Sequence, residues 1–281
     1  MGFAICLVLG AVACNSNQNA TQAPGAQLGS AQLASTPRAQ HVRITTLSTM
    51  MTDWPTLTGA PFGEWGYAAL VEVDDKKLLF DTGKDPTVIL HNLDALGISL
   101  ADVDTVVLSH RHDDHTGGLV ALQQKFPSGL RDVIVGAGFA GAATSFRVVG
   151  RPTSLLDMPY VQVTGPIPRT VEEHDIEREQ LAVPEDQALV IDTVNGLIVI
   201  TGCGHAGVVN TLDAAQAMFP QRPVLALLGG LHLYERTPSF GFASLEAYLD
   251  AVGQRLRRAA VRYLVGSHCT GLESLYWLRV S

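Results

Sequence analysis

The chain has 281 residues, of which 47% are hydrophobic and 16% are charged, and its formal net charge at pH 7 is −8. This length supports one sizeable hydrophobic core or at most two small domains. The acidic balance argues against a nucleic-acid-binding protein, which would carry a basic stripe or patch. The few clustered basic residues, Arg255, Arg257 and Arg258, are typical of the solvated face of a helix rather than of a phosphate site.

The first 14 residues form a short apolar run that ends in small residues and Cys14. The run is shorter than the roughly 20 apolar residues that a membrane-spanning helix needs, so it predicts an export signal. The segment 11–14, AVAC, resembles the lipobox at which bacterial lipoproteins are cleaved and lipidated. We therefore expect a periplasmic or cell-envelope lipoprotein that contacts the membrane only through its N-terminal lipid. A cleaved soluble signal and a cytosolic N-terminus are the alternatives.

Residues 15–40 are rich in Asn, Gln, Ser, Ala and Gly, which predicts a flexible linker. Over residues 41–281 apolar runs alternate with helical patterns, so we expect one folded domain there. The clearest predicted helix has Asp85 as its N-cap, Pro86 in its first turn and Gly97 at its end. Further helices are predicted around residues 208–218 and 243–259, and strands in the runs HVRITTLS, YAALVEV, KKLLF, VDTVVLSH, RDVIVGAG, ALVIDTV, GLIVITGCGH, PVLALLGGLH and VRYLVGSH.

Four of these predicted strands are followed closely by a histidine, namely His110, His205, His232 and His268. In layered α/β folds, ligands gather outside the carboxyl ends of the strands. Core packing does not explain why four separate strands should each deliver a histidine to that end. The pattern therefore predicts one shared site.

The segment SHRHDDHTGG, residues 109–118, contains the pattern H-x-H-x-D-H, formed by His110, His112, Asp114 and His115. Imidazole nitrogens and carboxylate oxygens are ligands that zinc and related divalent metals accept. A catalytic metal needs about three protein ligands and one open position, so four ligand-capable side chains predict two metals sharing a loop. We expect Gly117 and Gly118 to let the backbone turn tightly after this loop. A merely polar, solvated loop is the alternative.

The pattern H-x-H-x-D-H after a strand, with Asp81-Thr82-Gly83 upstream, resembles the metallo-β-lactamase-fold hydrolase superfamily. The segments SHRHDDHTGGL, GPIPR, TGCGHAGVVNTL, GGLHL and SHCTG are similar to its branch of 7,8-dihydropterin-6-methyl-4-(β-D-ribofuranosyl)-aminobenzene-5'-phosphate synthase. The resemblance covers about residues 41–280 and implies an α/β fold, a four-layer αββα sandwich with the metal site at the C-terminal edge of the strands. It implies a first metal held by His110, His112 and His205, and a second held by Asp114, His115 and His268. One or two Zn²⁺ ions are expected, with Mn²⁺ or Fe²⁺ as alternatives.

The resemblance also implies roles for residues around the ligands. Asp81 would brace the metal loop. Cys203 stands where the superfamily often has a metal-bridging aspartate, so it is either a thiolate ligand or a small buried residue beside the site. Cys269 directly follows His268, and a disulfide between the two cysteines would exclude Cys203 as a ligand. His232 is assigned to substrate binding or to the surroundings of the ligands, with a metal role as the alternative.

Arg169, in the segment GPIPR, is predicted to bind an anionic group of the substrate, because its planar guanidinium pairs well with carboxylate or phosphate. An ion pair with Glu172 or Glu173 is the alternative. A helix that starts near Gly207 would point its N-terminus toward the same site and add some affinity for anions. The similar branch usually carries histidine where this chain has Trp65, which implies a different pocket wall. We expect His91 and His174 at the surface.

These residues predict a metal-dependent hydrolase that uses a metal-bound hydroxide on a small, anionic, ester-type substrate such as a phosphoester, lactone or thioester. Asp114 is the catalytic candidate, because it can orient the hydroxide while it serves as a ligand. A pterin-related transferase or synthase and a non-catalytic metal-binding protein are the alternatives. A diiron oxygen- or nitric-oxide-reducing enzyme is disfavoured, because such enzymes usually have glutamate in place of the second histidine, here His112. The expected partner is a small molecule and not a nucleic acid.

Overall fold

The computed structural model describes residues 37–51, 59–139, 143–171, 173, 186–233 and 242–280. The predicted export signal, the linker up to residue 36, Glu172 and His174 lie outside the described residues. At the end of the predicted linker, Ala39 is fully buried and Arg38 pairs with Asp192 at 3.3 Å. The folded part therefore begins a few residues before the predicted boundary at residue 41. Within the ranges given above, no helix has the length and apolar character needed to cross a membrane.

The described residues form two mixed sheets of six strands each. In the first sheet the spatial order follows the chain through β1 (Val42–Ser48), β2 (Ala68–Val73), β3 (Lys76–Phe80), β4 (Thr105–Val107), β5 (Asp132–Gly136) and β6 (Arg147–Val149). The second sheet is ordered likewise through β7 (Thr153–Leu155), β8 (Met158–Val163), β9 (Leu189–Thr193), β10 (Gly196–Thr201), β11 (Val224–Gly229) and β12 (Tyr263–Gly266). Pairing is antiparallel from β1 to β3 and from β7 to β10, and parallel from β3 to β6 and from β10 to β12.

The helices are α1 (Pro86–Leu96), α2 (Asp113–Thr116), α3 (Leu119–Lys125), α4 (Val208–Met218), α5 (Leu245–Arg258) and α6 (Leu272–Val280), with a 3₁₀ turn at His268–Thr270. The predicted caps of α1 are confirmed, because the Asp85 side chain accepts a hydrogen bond from Thr87 N and Gly97 adopts a left-handed φ of 66°. The prediction of a loop after His112 was wrong in one respect. Residues Asp113–Thr116 form a single helical turn, whose start is favoured by acidic side chains at a helix N-terminus.

Buried apolar residues form three layers of core, which confirms the expected αββα sandwich. The largest lies between the two sheets and includes Phe80 and Ile200. The second lies between the outer face of the second sheet and helices α4 and α5, and the third between the first sheet and helices α1 and α3. On β3, Leu78 and Phe80 face the inter-sheet core whereas Leu79 faces the helices, as the two-residue period of a strand requires.

Candidate metal centre

The side chains that follow β4, β10 and β12 meet in one buried site at the C-terminal edge of the sheets. Their ligand atoms form two groups in which all atoms lie within 4.8 Å of one another. The first metal group contains His110, His112 and His205, and the second metal group contains Asp114, His115, Cys203 and His268. The structure thus brings together each of the two ligand sets implied by the resemblance and adds Cys203 to the second.

The first metal group consists of three imidazoles in close contact. His110 Nε2 lies 3.0 Å from His112 Nδ1, and the rings of His110 and His205 are 4.7 Å apart between centroids. Burial, reinforced by the neighbouring imidazoles, lowers the pKa of both His110 and His205 well below the usual value. The rings are therefore neutral and can donate lone pairs. His205 is only 5% exposed, and neither of its ring nitrogens has a hydrogen-bond partner among the described residues, so a metal ion can satisfy them.

The second metal group combines imidazole, thiol and carboxylate. Cys203 Sγ lies 3.1 Å from His115 Nε2 and 3.1 Å from His268 Nε2, and Asp114 Oδ2 lies 3.2 Å from His268 Nε2. Burial raises the pKa of Asp114, but the hydrogen bond from His268 and the charge of His115 outweigh it and lower the pKa to about 2. Asp114 is therefore a carboxylate at neutral pH. Nitrogen, sulfur and oxygen ligands together suit zinc and related metals, so this geometry supports Cys203 as a ligand.

Asp81 holds the metal loop in place from the end of β3. It is fully buried; its Oδ1 accepts a hydrogen bond from Ser109 N at 2.7 Å, and its Oδ2 accepts from Ser109 Oγ at 2.8 Å. His115 Nδ1 lies 2.7 Å from the same Oδ2. Because Nδ1 donates to the carboxylate, His115 presents Nε2 to the second metal group. Gly202 allows this contact, since a Cβ there would lie 2.0 Å from Ser109 Oγ.

Several residues of the site have unusual backbone conformations. Asp81, His232 and His268 have φ values of 56°, 49° and 48°, which is the left-handed region that costs a non-glycine residue about 1 kcal/mol or more. Such strain persists only where the surrounding packing imposes it. The chain therefore holds these side chains in place against a local conformational cost.

Gly117 and Gly118 were predicted to permit a tight turn, and the structure gives a different reason for them. Their φ values of −63° and −78° are open to any residue. A Cβ would instead lie 2.1 Å from Lys84 O at Gly117 and 2.2 Å from Thr82 O at Gly118. Glycine is needed here because two backbone segments pack directly against each other.

His232, Trp65 and Cys269 lie next to the metal groups. The His232 ring lies 4.6 Å from the His205 ring, and the Trp65 ring lies 5.2 Å from the His268 ring, measured between centroids. His232, Cys203 and Cys269 also place ligand atoms within 4.8 Å of one another, and both cysteines are free thiols. His91 lies apart from the site, half-buried and stacked on Phe62 at 3.9 Å.

Arg169 is placed near the first metal group by its neighbours in the chain. Ile167 N donates to Asp186 O at 2.9 Å and Thr170 N donates to Asn210 Oδ1 at 3.0 Å, and both partners also bind Ala206, which follows His205. Burial lowers the pKa of His205, and the positive charge of Arg169 adds to this effect. It also acts on Asp186, a carboxyl that the sequence analysis did not identify. Asp186 is 3% exposed, its Oδ2 accepts a hydrogen bond from Ala206 N at 2.9 Å, and burial raises its pKa to about 7. Asp186 thereby positions the backbone next to His205. It belongs to no motif, and only its burial in the folded chain marks it.

From the sequence, Glu173 was an alternative partner of Arg169, and in the structure its carboxylate binds the start of helix α4. Its carboxylate accepts hydrogen bonds at the start of α4 from Val209 N at 3.0 Å and Asn210 N at 2.8 Å, and from Tyr248 Oη at 2.8 Å. Burial nevertheless raises its pKa from 4.5 to about 6. The pKa of this carboxyl is higher in the folded protein than in the unfolded chain. The free energy of unfolding therefore falls as pH rises from the pKa of the unfolded chain to that of the folded protein.

The Glu173→Gln variant is therefore expected to gain stability relative to the parent as pH rises from about 4 to about 7. A shift of this size corresponds to about 2 kcal/mol of unfolding free energy. Urea denaturation of both proteins in the presence of chelator, at several pH values, measures the difference. A difference that stays constant with pH would contradict the expectation.

Comparisons with known proteins agree with this architecture. A 7,8-dihydropterin-6-methyl-4-(β-D-ribofuranosyl)-aminobenzene-5'-phosphate synthase from Methanocaldococcus jannaschii is 24% identical over 84% of this chain and 90% of its own length. A crystal structure described as a metal-dependent hydrolase of the β-lactamase superfamily is 26% identical, covers 85% of this chain and 93% of its own, and has a TM-score of 0.64.

Two further matches are more limited. YhfI from Bacillus subtilis, a metallo-β-lactamase fold protein, has a TM-score of 0.52 at 16% identity over 85% of this chain and 90% of its own, which shows a shared fold. A family model described as the anti-Pycsar protein Apyc1 matches residues 58–135, which include the whole H-x-H-x-D-H segment.

Proposed function

We propose that this chain, which belongs to the metallo-β-lactamase-fold superfamily, hydrolyses a small anionic substrate of the ester type, such as a phosphoester, lactone or thioester. The observation that carries the proposal is the pair of adjoining metal groups, three imidazoles in one and a mixed carboxylate, imidazole and thiol set in the other. The match to a metal-dependent hydrolase at 26% identity supports it.

The donors present fit two divalent metals. His110, His112 and His205 would hold one, and the second metal group would hold the other, with Zn²⁺ as the first choice for a set that includes a thiol. A bound metal of this kind lowers the pKa of a coordinated water to about 7 and polarises the oxygen of the substrate that takes up charge.

The remaining chemistry comes from side chains of the site. Asp114 is ionised at neutral pH, so its carboxylate can accept a hydrogen bond from the attacking water and orient it. Asp81 fixes the loop that carries Asp114. Arg169, whose charge already acts on His205, would pair with the anionic group of the substrate. In the reaction the hydroxyl of water bonds to carbon or phosphorus, and the leaving oxygen or sulfur takes the proton.

A pterin-related synthase is the second candidate function. The M. jannaschii relative of that name matches 84% of this chain, which is nearly the same share as the hydrolase structure covers. Assays for ester hydrolysis and for pterin-related synthesis with the same metal-loaded protein separate the two candidates, because each reaction has its own products.

The His115→Ala variant tests the proposed function most directly. Elemental analysis of the parent, purified without chelator, should give close to two metals per chain, and the variant should fall toward one while hydrolysis of a panel of phosphoesters, lactones and thioesters falls with it. Cys203→Ala is expected to weaken binding of the same metal, since Cys203 Sγ lies 3.1 Å from both histidines of the second metal group. A metal content of one or less, unchanged by His115→Ala, would sink the two-metal assignment.

A further inference from the structure

Next to the second metal group, a cavity of about 230 Å³ opens between the two sheets. One wall comes from β1, an edge strand of the first sheet, and the opposite wall includes β12, an edge strand of the second. Leu272 and Leu275 of α6 close one side. No described strand covers either edge, so the cavity reaches from the surface into the space between the sheets.

The cavity is joined to the site through His268, which lines it. Nε2 of His268 faces the second metal group, at 3.1 Å from Cys203 Sγ and 3.2 Å from Asp114 Oδ2. A ligand in the cavity therefore contacts one of the candidate metal ligands directly. The rim is apolar and exposed, with Met50 40%, Met51 59% and Leu272 65% exposed.

The chemistry of the walls excludes a charged occupant. Among the described residues that line the cavity, none is Asp, Glu, Lys or Arg, and the inner walls include Ile44, Leu228 and Val265. A charge placed there would lose its hydration without gaining a partner. Polar side chains also line the cavity, namely those of Thr46, Thr49, Tyr67, Ser267, His268 and Thr270. Ser267 Oγ is buried and has no hydrogen-bond partner in the described structure. The walls thus suit a neutral and largely apolar group.

Arg169 lies on the side of the first metal group. Its neighbours Ile167 and Thr170 donate backbone hydrogen bonds to Asp186 and Asn210, and both of these residues also bind Ala206, which follows His205. The cavity adjoins His268 of the second metal group. We propose that the substrate is amphipathic, with its anionic group toward Arg169 and a neutral alkyl or aryl group in this cavity. At roughly 30 Å³ per water-sized group, the volume accommodates about eight heavy atoms. This inference rests on the proposed hydrolase function and specifies its substrate class.

The test uses 4-nitrophenyl esters of unbranched acids from acetate to decanoate with the metal-loaded full chain. The value of kcat/KM should rise roughly fourfold for each added methylene, the factor that follows from about 0.8 kcal/mol per buried CH₂. The rise should stop near eight carbons. A flat series with measurable hydrolysis would overturn the cavity assignment and leave the hydrolase proposal standing.

Two substitutions at neighbouring positions of β1 test whether the dependence of kcat/KM on chain length arises in the cavity. Thr46 is exposed and lines the cavity, whereas the neighbouring Thr45 does not line it and points to the other face of the strand. Thr46→Phe should flatten the chain-length series, and Thr45→Phe should leave it as in the parent. Val265→Phe fills the cavity from the opposite wall. It is used in place of Thr46→Phe if thermal unfolding shows that Thr46→Phe is misfolded. An unchanged series in the filled variants would overturn the proposal.

Binding of alkanoates from acetate to octanoate, measured by calorimetry, separates the two proposals. The cavity assignment is supported if alkanoate affinity rises with chain length in the parent and in Thr45→Phe but not in Thr46→Phe. If no ester is hydrolysed by the same parent protein, the hydrolase function fails although the cavity assignment stands. Affinity that does not depend on chain length in any of the proteins would overturn the cavity assignment.

Discussion

Replacing His205 with alanine is expected to reduce hydrolysis by more than about 100-fold and to remove one metal per chain. Loss of an outer partner of a metal ligand alone costs roughly 10- to 100-fold in affinity or activity, and His205 belongs to the three-imidazole group itself. Elemental analysis and steady-state kinetics of the parent and the variant measure both effects.

The same variant should behave differently without metal. Both ring nitrogens of His205 are buried and have no hydrogen-bond partner within the described part of the chain, and each such group costs about 1–3 kcal/mol. Removing the ring removes that cost, which offsets the cavity it leaves. In chelator we therefore expect the unfolding free energies of variant and parent to agree within about 1 kcal/mol. With metal at about 1,000 times its Kd, each occupied site stabilises the parent by about 4 kcal/mol, and the variant should lack one such increment.

His91→Ala is the matched control for this prediction. His91 lies on α1, where its Nε2 is 2.9 Å from Ala60 O and its ring stacks on Phe62 at 3.9 Å. Its loss should lower stability equally with and without metal and leave metal content and hydrolysis unchanged. If His205→Ala lowers the free energy of unfolding by the same amount in chelator as in the presence of metal, His205 contributes to core packing and does not bind a metal.

The ligand groups could be predicted from the sequence because their signals are local. The H-x-H-x-D-H segment and the histidines after β10 and β12 each lie within a few residues of an apolar run, and parallel strands bring such ends to one edge. The caps of α1 were predictable for the same reason, since Asp85, Pro86 and Gly97 act within one turn of the helix ends.

Some of the elements that escaped prediction depend on distant contacts. Strands β6 and β7 have three residues each, too few to show a period, and are strands only because longer neighbours pair with them. Asp186 and Glu173 owe their raised pKa values to burial, which no short segment encodes. The approach of Cys203 to both His115 and His268 joins residues 88 and 65 positions apart, so the sequence left its role open.

The apolar cavity is a consequence of topology in the same sense. It exists because β1 and β12, at opposite ends of the chain, are both edge strands and face each other across the inter-sheet core. The residues that line it come from four separate segments, and none carries a motif. Substrate specificity in this fold can therefore change through such walls while the metal ligands stay the same.

Asp81→Ala is expected to be the most destabilising single change at the site, by about 3 to 5 kcal/mol. The carboxylate is fully buried and accepts from Ser109 N, Ser109 Oγ and His115 Nδ1. Its removal takes the partner from the buried Ser109 N and His115 Nδ1, whereas Ser109 Oγ still lies 2.9 Å from His110 Nδ1. Alanine also pays about 1 kcal/mol for the φ of 56° at this position. Asp81→Asn tolerates that φ and keeps one acceptor oxygen, so its loss should be smaller.

Asp74→Ala separates the role of the Asp81 carboxylate from the cost of the backbone conformation. Asp74 has a similar φ of 52° but is exposed, and its Oδ1 accepts from Gln40 N and His41 N far from the site. Urea unfolding in chelator and metal titration should show a loss of about 1 kcal/mol with unchanged metal affinity for Asp74→Ala. Asp81→Ala should show the larger loss and a metal affinity at least about tenfold lower. If Asp81→Asn binds metal as tightly as the parent, the negative charge of Asp81 is not needed to orient His115.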